Sequence, residues 1–148
     1  MKTIEEVIVA TGGGFDPLHI GHIRLFKAAK KLGTKLIVIL NSDRFLIEKK
    51  GYVFMPFEER KEIIENLKDI DVVIDCIDGD QSVARTLKQI QPDIFAKGGD
   101  RNIDNIPEAE RKVCKELGIK VVSLVGGTKV QSSSDLVNRL NKLTNEMS

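Results

Sequence analysis

Cysteine, net charge and long apolar runs are all scarce in this sequence, and each scarcity argues against a class of protein. The only cysteines among the 148 residues, Cys76 and Cys114, lie far apart in mostly apolar surroundings. They favour two buried thiols in a reducing compartment over a disulfide. Lys and Arg total 23 against 22 Asp and Glu, a net charge of +1. Such a balance argues against a strongly basic face for nucleic acid, while a local basic pocket for a small anion remains compatible with it.

No apolar run approaches the roughly 20 residues that cross a bilayer. Residues 1–6 include two acids and lead directly into a strand pattern, which is not typical of a signal peptide. We therefore expect a cytoplasmic protein without a membrane partner. Hydrophobic residues make up 41% of the chain, enough for a core, and the length fits one domain over residues 1–148.

Strand and helix patterns alternate along the chain. Short apolar runs predict five strands, at residues 7–10, 36–40, 72–74, 94–96 and 121–124. Apolar residues at helical spacing predict five helices, at residues 23–32, from 56 onwards, and at 82–90, 107–117 and 133–143. This alternation predicts a parallel sheet covered on both faces, in a single doubly wound, Rossmann-like α/β domain. We expect a polar loop over residues 41–55 and a frayed tail over residues 143–148.

A glycine-rich turn with two histidines follows the first predicted strand. In a parallel α/β sheet, ligands collect at the carboxyl ends of the strands. The glycines at 12–14 let the backbone approach a ligand, and the next helix directs its N-terminus to the same place, which favours an anion. His19 and His22, the only histidines, are three residues apart and can face one pocket. The turn predicts a phosphate site; the alternative is a plain turn with two structural histidines.

Other ligand motifs do not fit this turn. The dinucleotide fingerprint would need a glycine where Pro17 stands, and the P-loop pattern is absent. Neither cysteine has metal-ligand spacing, so we predict no metal site built by the chain.

Two further segments carry groups suited to a nucleotide. Residues 97–100 end the fourth strand: Lys97 can contact a phosphate, Gly98 lets a nucleotide lie close, and Asp100 can accept a hydrogen bond. Ser132, Ser133 and Ser134 open the last helix, where a cap and a phosphate site are compatible.

Three cationic side chains follow the second predicted strand in the sequence. Lys49 and Lys50 lie in the expected loop, where a cationic segment can close over phosphates. Arg60 opens a helix, where the dipole does not favour a cation, so either a substrate phosphate or Glu59 is its expected partner.

Residues 14–22, with the sequence GFDPLHIGH, resemble the HxGH signature of the nucleotidyltransferase superfamily. The similarity continues at residues 41–43, 50–51, 59–60 and 132–134, and residues 97–100 most resemble the heptose-1-phosphate adenylyltransferase group. Glycerol-3-phosphate cytidylyltransferases carry an arginine before the serines, where this chain has Lys129 as the candidate cation. The resemblance implies the strand order 3-2-1-4-5, Mg²⁺ with the triphosphate, and a homodimer.

The resemblance implies transfer of a nucleoside monophosphate from ATP or CTP to a phosphorylated small molecule, such as a sugar 1-phosphate, with release of pyrophosphate. The implied catalytic residues are His19, His22 and Lys50. The implied nucleotide-binding residues are Gly13, Gly14, Phe15, Asp16, Lys97, Gly98, Asp100, Ser132, Ser133 and Ser134. The implied substrate-binding residues are Lys50, Arg60 and Lys129. The alternatives are a CTP-dependent cytidylyltransferase for glycerol 3-phosphate or another alcohol phosphate, and a catalytically silent nucleotide sensor.

Overall fold

A computed structural model describes residues 5–99, 104–127 and 132–147. The five strands are β1 (Ile8–Gly13), β2 (Lys35–Leu40), β3 (Val72–Asp75), β4 (Ile94–Ala96) and β5 (Lys120–Val122). The helices are α1 (Ile20–Lys30), α2 (Asp43–Lys50), α3 (Phe57–Glu65), α4 (Ala84–Ile90), α5 (Glu108–Leu117) and α6 (Ser133–Met147). All strand pairs are parallel and the order is β3-β2-β1-β4-β5, which confirms the predicted fold class and strand order.

Apolar side chains on both faces of the sheet explain the doubly wound arrangement. On one face, Phe26 of α1 and Ile64 of α3 belong to the same buried cluster as Leu36 and Val38 of β2. On the other face, the buried cluster joins α4 and α5 to β1, β2 and β4, through Ala10, Ile39, Leu87, Phe95 and Cys114. Residues 36–40 of β2 are all buried because helices cover both faces of that strand.

The two cysteines are free thiols in the structure, as the sequence predicts. Burial raises the pKa of Cys114 to about 11, with a smaller contribution from Glu110, so this thiol stays protonated at neutral pH. Cys76 is half-buried, and burial also raises its pKa. No helix among the described residues is long and apolar enough to cross a membrane.

Two predicted boundaries are wrong. The segment expected to be a polar loop contains α2, because Ser42 caps it by accepting a hydrogen bond from the Phe45 N–H (3.1 Å) and Gly51 ends it with a φ of 85°. The last helix is predicted to end at residue 143, but α6 continues to Met147, and Thr144 Oγ1 donates to the Leu140 carbonyl (3.0 Å). The described chain therefore has one more helix than predicted, and Lys50 lies in the last turn of a helix.

Candidate active site

A cavity of about 500 Å³ opens at the carboxyl ends of β1 and β4, where the strand order reverses. Many residues that the sequence singles out line this cavity: Gly13, Gly14, Phe15, Asp16, His19, His22, Lys50, Lys97, Gly98, Ser132, Ser133 and Ser134. Asp100 and Lys129 lie outside the described residues. The structure thus brings the segments after β1, β2 and β4 to one place, together with the start of α6.

The glycine turn after β1 is closely packed against α2. A Cβ atom on Gly14 would lie 2.5 Å from Leu46 Cδ2, so a larger residue would displace the buried Leu46 side chain. Phe15 follows with a φ of 51° and is buried. Its ring lies edge-on to both His22 (4.9 Å between centroids) and Phe26 (5.0 Å). Phe15 therefore connects the histidine to the hydrophobic core.

Backbone hydrogen bonds orient both histidine rings. His19 is the N-cap of α1, and its Nδ1 accepts a hydrogen bond from the Gly21 N–H (3.0 Å). The Nδ1 of His22 accepts from the His19 N–H (3.2 Å), and the two rings stack with centroids 3.8 Å apart. Since each Nδ1 acts as an acceptor, the neutral form of each ring carries its hydrogen on Nε2. Both histidines that line the cavity are thus hydrogen-bond donors through Nε2.

The His22 ring is neutral at physiological pH. Burial, with smaller contributions from repulsion by His19 and Lys50, lowers the pKa of His22 from 6.5 to about 3. Protonation at Nδ1 would also break the hydrogen bond from the His19 N–H. Positive charge for a polyphosphate must therefore come from groups of the cavity other than His22, which include lysines and helix N-termini.

Lys50 and Asp16 form one connected unit at the cavity edge. The Lys50 ammonium donates to the backbone carbonyl of Asp16 (2.6 Å) and lies 5.2 Å from the centre of the Tyr52 ring. Burial is the main cause that lowers the pKa of Lys50. The Asp16 carboxylate is almost fully buried and accepts from the N–H groups of Phe54 and Met55, both at 2.6 Å. Asp16 therefore fixes the segment after α2 and orients Lys50.

The prediction that Arg60 binds substrate is wrong, and its partner is not Glu59. The Arg60 side chain has no exposed surface. Its guanidinium donates to the carbonyls of Met55 (2.9 Å), Gly14 (2.7 Å) and Asn41 (2.9 Å). It also forms an ion pair with the Asp43 carboxylate (2.7 Å). Arg60 joins the ends of β1 and β2 to α2 from beneath the cavity, where no substrate can reach it.

Lys97 lies next to a buried carboxylate that sequence analysis missed. Its ammonium is 3.6 Å from Glu110 Oε1 and 4.7 Å from the Phe95 ring centre. The other Glu110 oxygen accepts from the Val83 N–H (3.2 Å), so Glu110 also fixes the start of α4. One signal was available, since Glu110 is one helical turn before the buried Cys114 and shares its face.

The serines at the start of α6 cap that helix and bind the histidine turn. Ser132 Oγ accepts from the Asp135 N–H (3.0 Å), which confirms the predicted cap. The Ser133 hydroxyl donates to the carbonyl of Pro17 (2.8 Å), two residues before His19. Ser134 lines the cavity as well. The N-terminus of α6 is therefore held beside the histidines.

A sequence model described as cytidylyltransferase-like matches residues 10–139, nearly the whole chain. The chain belongs to the cytidylyltransferase-like family. It is 36% identical over 129 residues to an FAD synthase of Thermococcus sibiricus, an alignment that covers 84% of each protein. It is 33% identical over 125 residues to the bifunctional protein HldE of Koribacter versatilis, covering 83% of this chain and 25% of that protein.

A solved structure shows the same fold in a relative of this cytidylyltransferase-like protein. The lipopolysaccharide core biosynthesis protein of Thermoplasma volcanium matches with a TM-score of 0.68 and 32% identity. The match covers 80% of this chain and 96% of that one. Together with the family match, these relatives identify the chain as a nucleotidyltransferase.

Proposed function

We propose that this enzyme transfers a nucleoside monophosphate from a nucleoside triphosphate to the phosphate of a small acceptor and releases pyrophosphate. One observation carries the proposal: both Nδ1 atoms of the histidine pair accept backbone N–H groups, so each neutral ring carries its donor hydrogen on Nε2, and both rings line the cavity. Donors that are fixed before the substrate arrives stabilise developing charge without reorganisation.

The reaction is a direct in-line displacement. An oxygen of the acceptor phosphate attacks the α-phosphorus, and the bond from that phosphorus to the oxygen bridging the β-phosphate breaks as pyrophosphate leaves. Because the nucleophile is already an anion, alignment and charge stabilisation are the main tasks of the protein. His19 and His22 donate to triphosphate oxygens, while Lys50, Lys97 and the N-terminus of α6 offset the remaining negative charge.

Mg²⁺ belongs with the triphosphate in this proposal. Among the described residues, no group of three or more His, Cys, Asp or Glu side chains is placed to hold a metal ion. The two carboxylates that line the cavity are engaged, Asp16 with two backbone N–H groups and Glu110 with Lys97. Phosphate oxygens and water suit Mg²⁺, which commonly keeps several waters, and the ion supplies further charge neutralisation there.

ATP is the nucleotide that we propose, because the FAD synthase relatives form a product that contains an adenylyl group. A sugar 1-phosphate is the first candidate acceptor, supported by the lipopolysaccharide-related neighbour and by the HldE relatives. Flavin mononucleotide is the second candidate, since the chain covers 84% of the Thermococcus sibiricus FAD synthase but only a quarter of HldE.

A pyrophosphate-release assay tests the proposal. The protein is incubated with Mg²⁺, either ATP or CTP, and one acceptor from a panel: a heptose 1-phosphate, glucose 1-phosphate, flavin mononucleotide or glycerol 3-phosphate. Chromatography identifies the product. We expect pyrophosphate with ATP and one of the first three acceptors. Turnover only with CTP and glycerol 3-phosphate would instead support the cytidylyltransferase alternative, and nucleotide binding without pyrophosphate across the panel would support the sensor.

A further inference from the structure

Asn41 is a buried polar residue of the cavity that the proposed mechanism leaves unused. It follows β2 directly, lines the cavity and is only 4% exposed. Its side-chain oxygen, Oδ1, is buried and accepts no hydrogen bond from any residue within the described ranges. Native proteins pair nearly all such groups, so an unpaired one beside a substrate cavity indicates a ligand.

The backbone of Asn41 is fixed from two sides. Its N–H donates to the Gly13 carbonyl (3.0 Å), and its carbonyl accepts from the Arg60 guanidinium (2.9 Å). The same guanidinium donates to the Gly14 carbonyl (2.7 Å), which connects Asn41 to the turn before the histidines. The side chain therefore starts from a rigid position, as a recognition group requires.

Because the unpaired atom of Asn41 is a carbonyl oxygen, its missing partner must be a hydrogen-bond donor. A carbonyl oxygen needs a hydrogen-bond donor, and phosphate oxygens of a triphosphate are acceptors. Lys97 and Gly98 follow β4 on one side of β1, whereas Asn41 follows β2 on the other side, with Phe45 and Lys50 of α2. A nucleotide also carries hydroxyl and amino donors, but Asn41 lies on the same side of β1 as Lys50, the ammonium that would hold the phosphate of the acceptor.

We propose that Asn41 determines acceptor specificity by accepting a hydrogen bond from a hydroxyl group of the phosphorylated acceptor. This inference rests on the proposed function and narrows its substrate class to phosphates carried on a polyhydroxylated ring or chain. Sugar phosphates and the ribityl phosphate of flavin mononucleotide share this chemistry. A site built to bind a hydroxyl rejects analogues that lack it far more strongly than a purely apolar pocket does.

The test compares binding of four probes to the wild-type protein and to Asn41→Leu, which has similar size but no polar atom. Glucose 1-phosphate, flavin mononucleotide and glycerol 3-phosphate carry hydroxyls, and propyl phosphate is the hydroxyl-free match of glycerol 3-phosphate. Affinities are measured by calorimetry with Mg²⁺ and a non-hydrolysable ATP analogue present. Asn66→Ala is the matched control, because it removes an exposed amide that donates to the Glu62 carbonyl (2.7 Å).

We expect Asn41→Leu to bind the tightest hydroxylated probe about tenfold or more weakly, a typical effect of losing one well-placed hydrogen bond. Its affinity for the ATP analogue and for propyl phosphate should match that of the wild type and of Asn66→Ala. An equal loss for propyl phosphate, a loss confined to the ATP analogue, or no loss would overturn the proposal. So would a wild-type protein that binds none of the hydroxylated probes.

A second measurement needs only the wild-type fold. In ¹⁵N-labelled protein, the side-chain amide signal of Asn41 should shift with glycerol 3-phosphate and stay in place with propyl phosphate. Equal shifts with both probes would contradict the role of the hydroxyl. Because both measurements detect binding, absence of pyrophosphate release would count against the proposed function without deciding the role of Asn41.

Discussion

Replacement of Arg60 by alanine should destabilise the protein strongly, because the guanidinium binds main-chain groups. The change leaves the carbonyls of Met55, Gly14 and Asn41 without their charged donor, and it breaks the ion pair with Asp43. The Asp43 carboxylate is 43% exposed, so losing its cationic partner costs only about 0–1 kcal/mol. Each carbonyl left unpaired costs about 1–3 kcal/mol, less whatever water recovers. We expect a loss of about 4 kcal/mol, a large share of the stability of an ordinary domain.

Urea denaturation followed by circular dichroism measures this loss in the free energy of unfolding. Lys61→Ala is the matched control, since the next residue on the same helix forms an ion pair with Asp75 that faces solvent and is screened. Its denaturation midpoint should stay close to that of the wild type. A substrate-binding Arg60 would behave in the opposite way, with a raised KM and an unchanged midpoint. A destabilisation of Arg60→Ala below about 1 kcal/mol would show that the hydrogen bonds described here do not stabilise the fold.

Three further predictions concern the histidine pair and the lysine beside it. His22→Ala should lower kcat by about 10²–10³ in the pyrophosphate assay, because one fixed donor is lost. Lys50→Ala should raise the acceptor KM or lower kcat in steady-state kinetics while circular dichroism shows a folded protein, since the contacts of this lysine in the described part of the chain, with the Asp16 carbonyl and the Tyr52 ring, lie at the cavity edge. The third concerns pH: the unfolded chain takes up a proton at His22 below about pH 6.5, and the folded protein does so only near pH 3. The contribution of His22 to the free energy of unfolding is therefore complete above pH 6.5 and is lost as the pH falls towards 3. Urea titrations should show that the free energy of unfolding decreases by up to about 2 kcal/mol between pH 7 and 5. This decrease should be absent in His22→Phe.

Each of these predictions has a clear opposite outcome. Near-wild-type turnover of His22→Ala would remove that ring from the mechanism. Unchanged kinetic constants for Lys50→Ala would make the lysine a bystander. An identical pH dependence of stability in the wild type and His22→Phe would mean that the ring is already exposed to solvent and free to take up a proton.

The sequence predicts the sheet well because buried strands require continuous runs of apolar residues. The run at residues 36–40 is apolar throughout because both faces of β2 are covered, and the five strands lie where such runs occur. The sequence pattern of helix α2 is much weaker, since Leu46 is the only buried residue of this helix and most of the others are polar. Helix α2 depends on the capping residues Ser42 and Gly51 at its two ends, and the pattern of apolar residues does not reveal caps.

The histidine turn could be placed from the sequence because its parts are adjacent in the chain. The role of Arg60 could not be predicted in this way, because its side chain binds backbone carbonyls that are 5, 19 and 46 residues away in the chain. The same limit applies to Glu110, whose partner Val83 is 27 residues distant, and to Asn41. A polar residue next to a strand end or on a buried helix face is a visible signal, yet only the fold shows which atoms it meets.

A crystal structure with Mg²⁺ and a non-hydrolysable ATP analogue provides the decisive observation on the triphosphate site. We predict that phosphate oxygens lie within about 3.2 Å of Nε2 of His19 and of His22, while both Nδ1 atoms keep their backbone N–H partners. Phosphates bound away from α1, with the two imidazoles still packed against Phe15 and free of the nucleotide, would show that this turn does not hold the triphosphate.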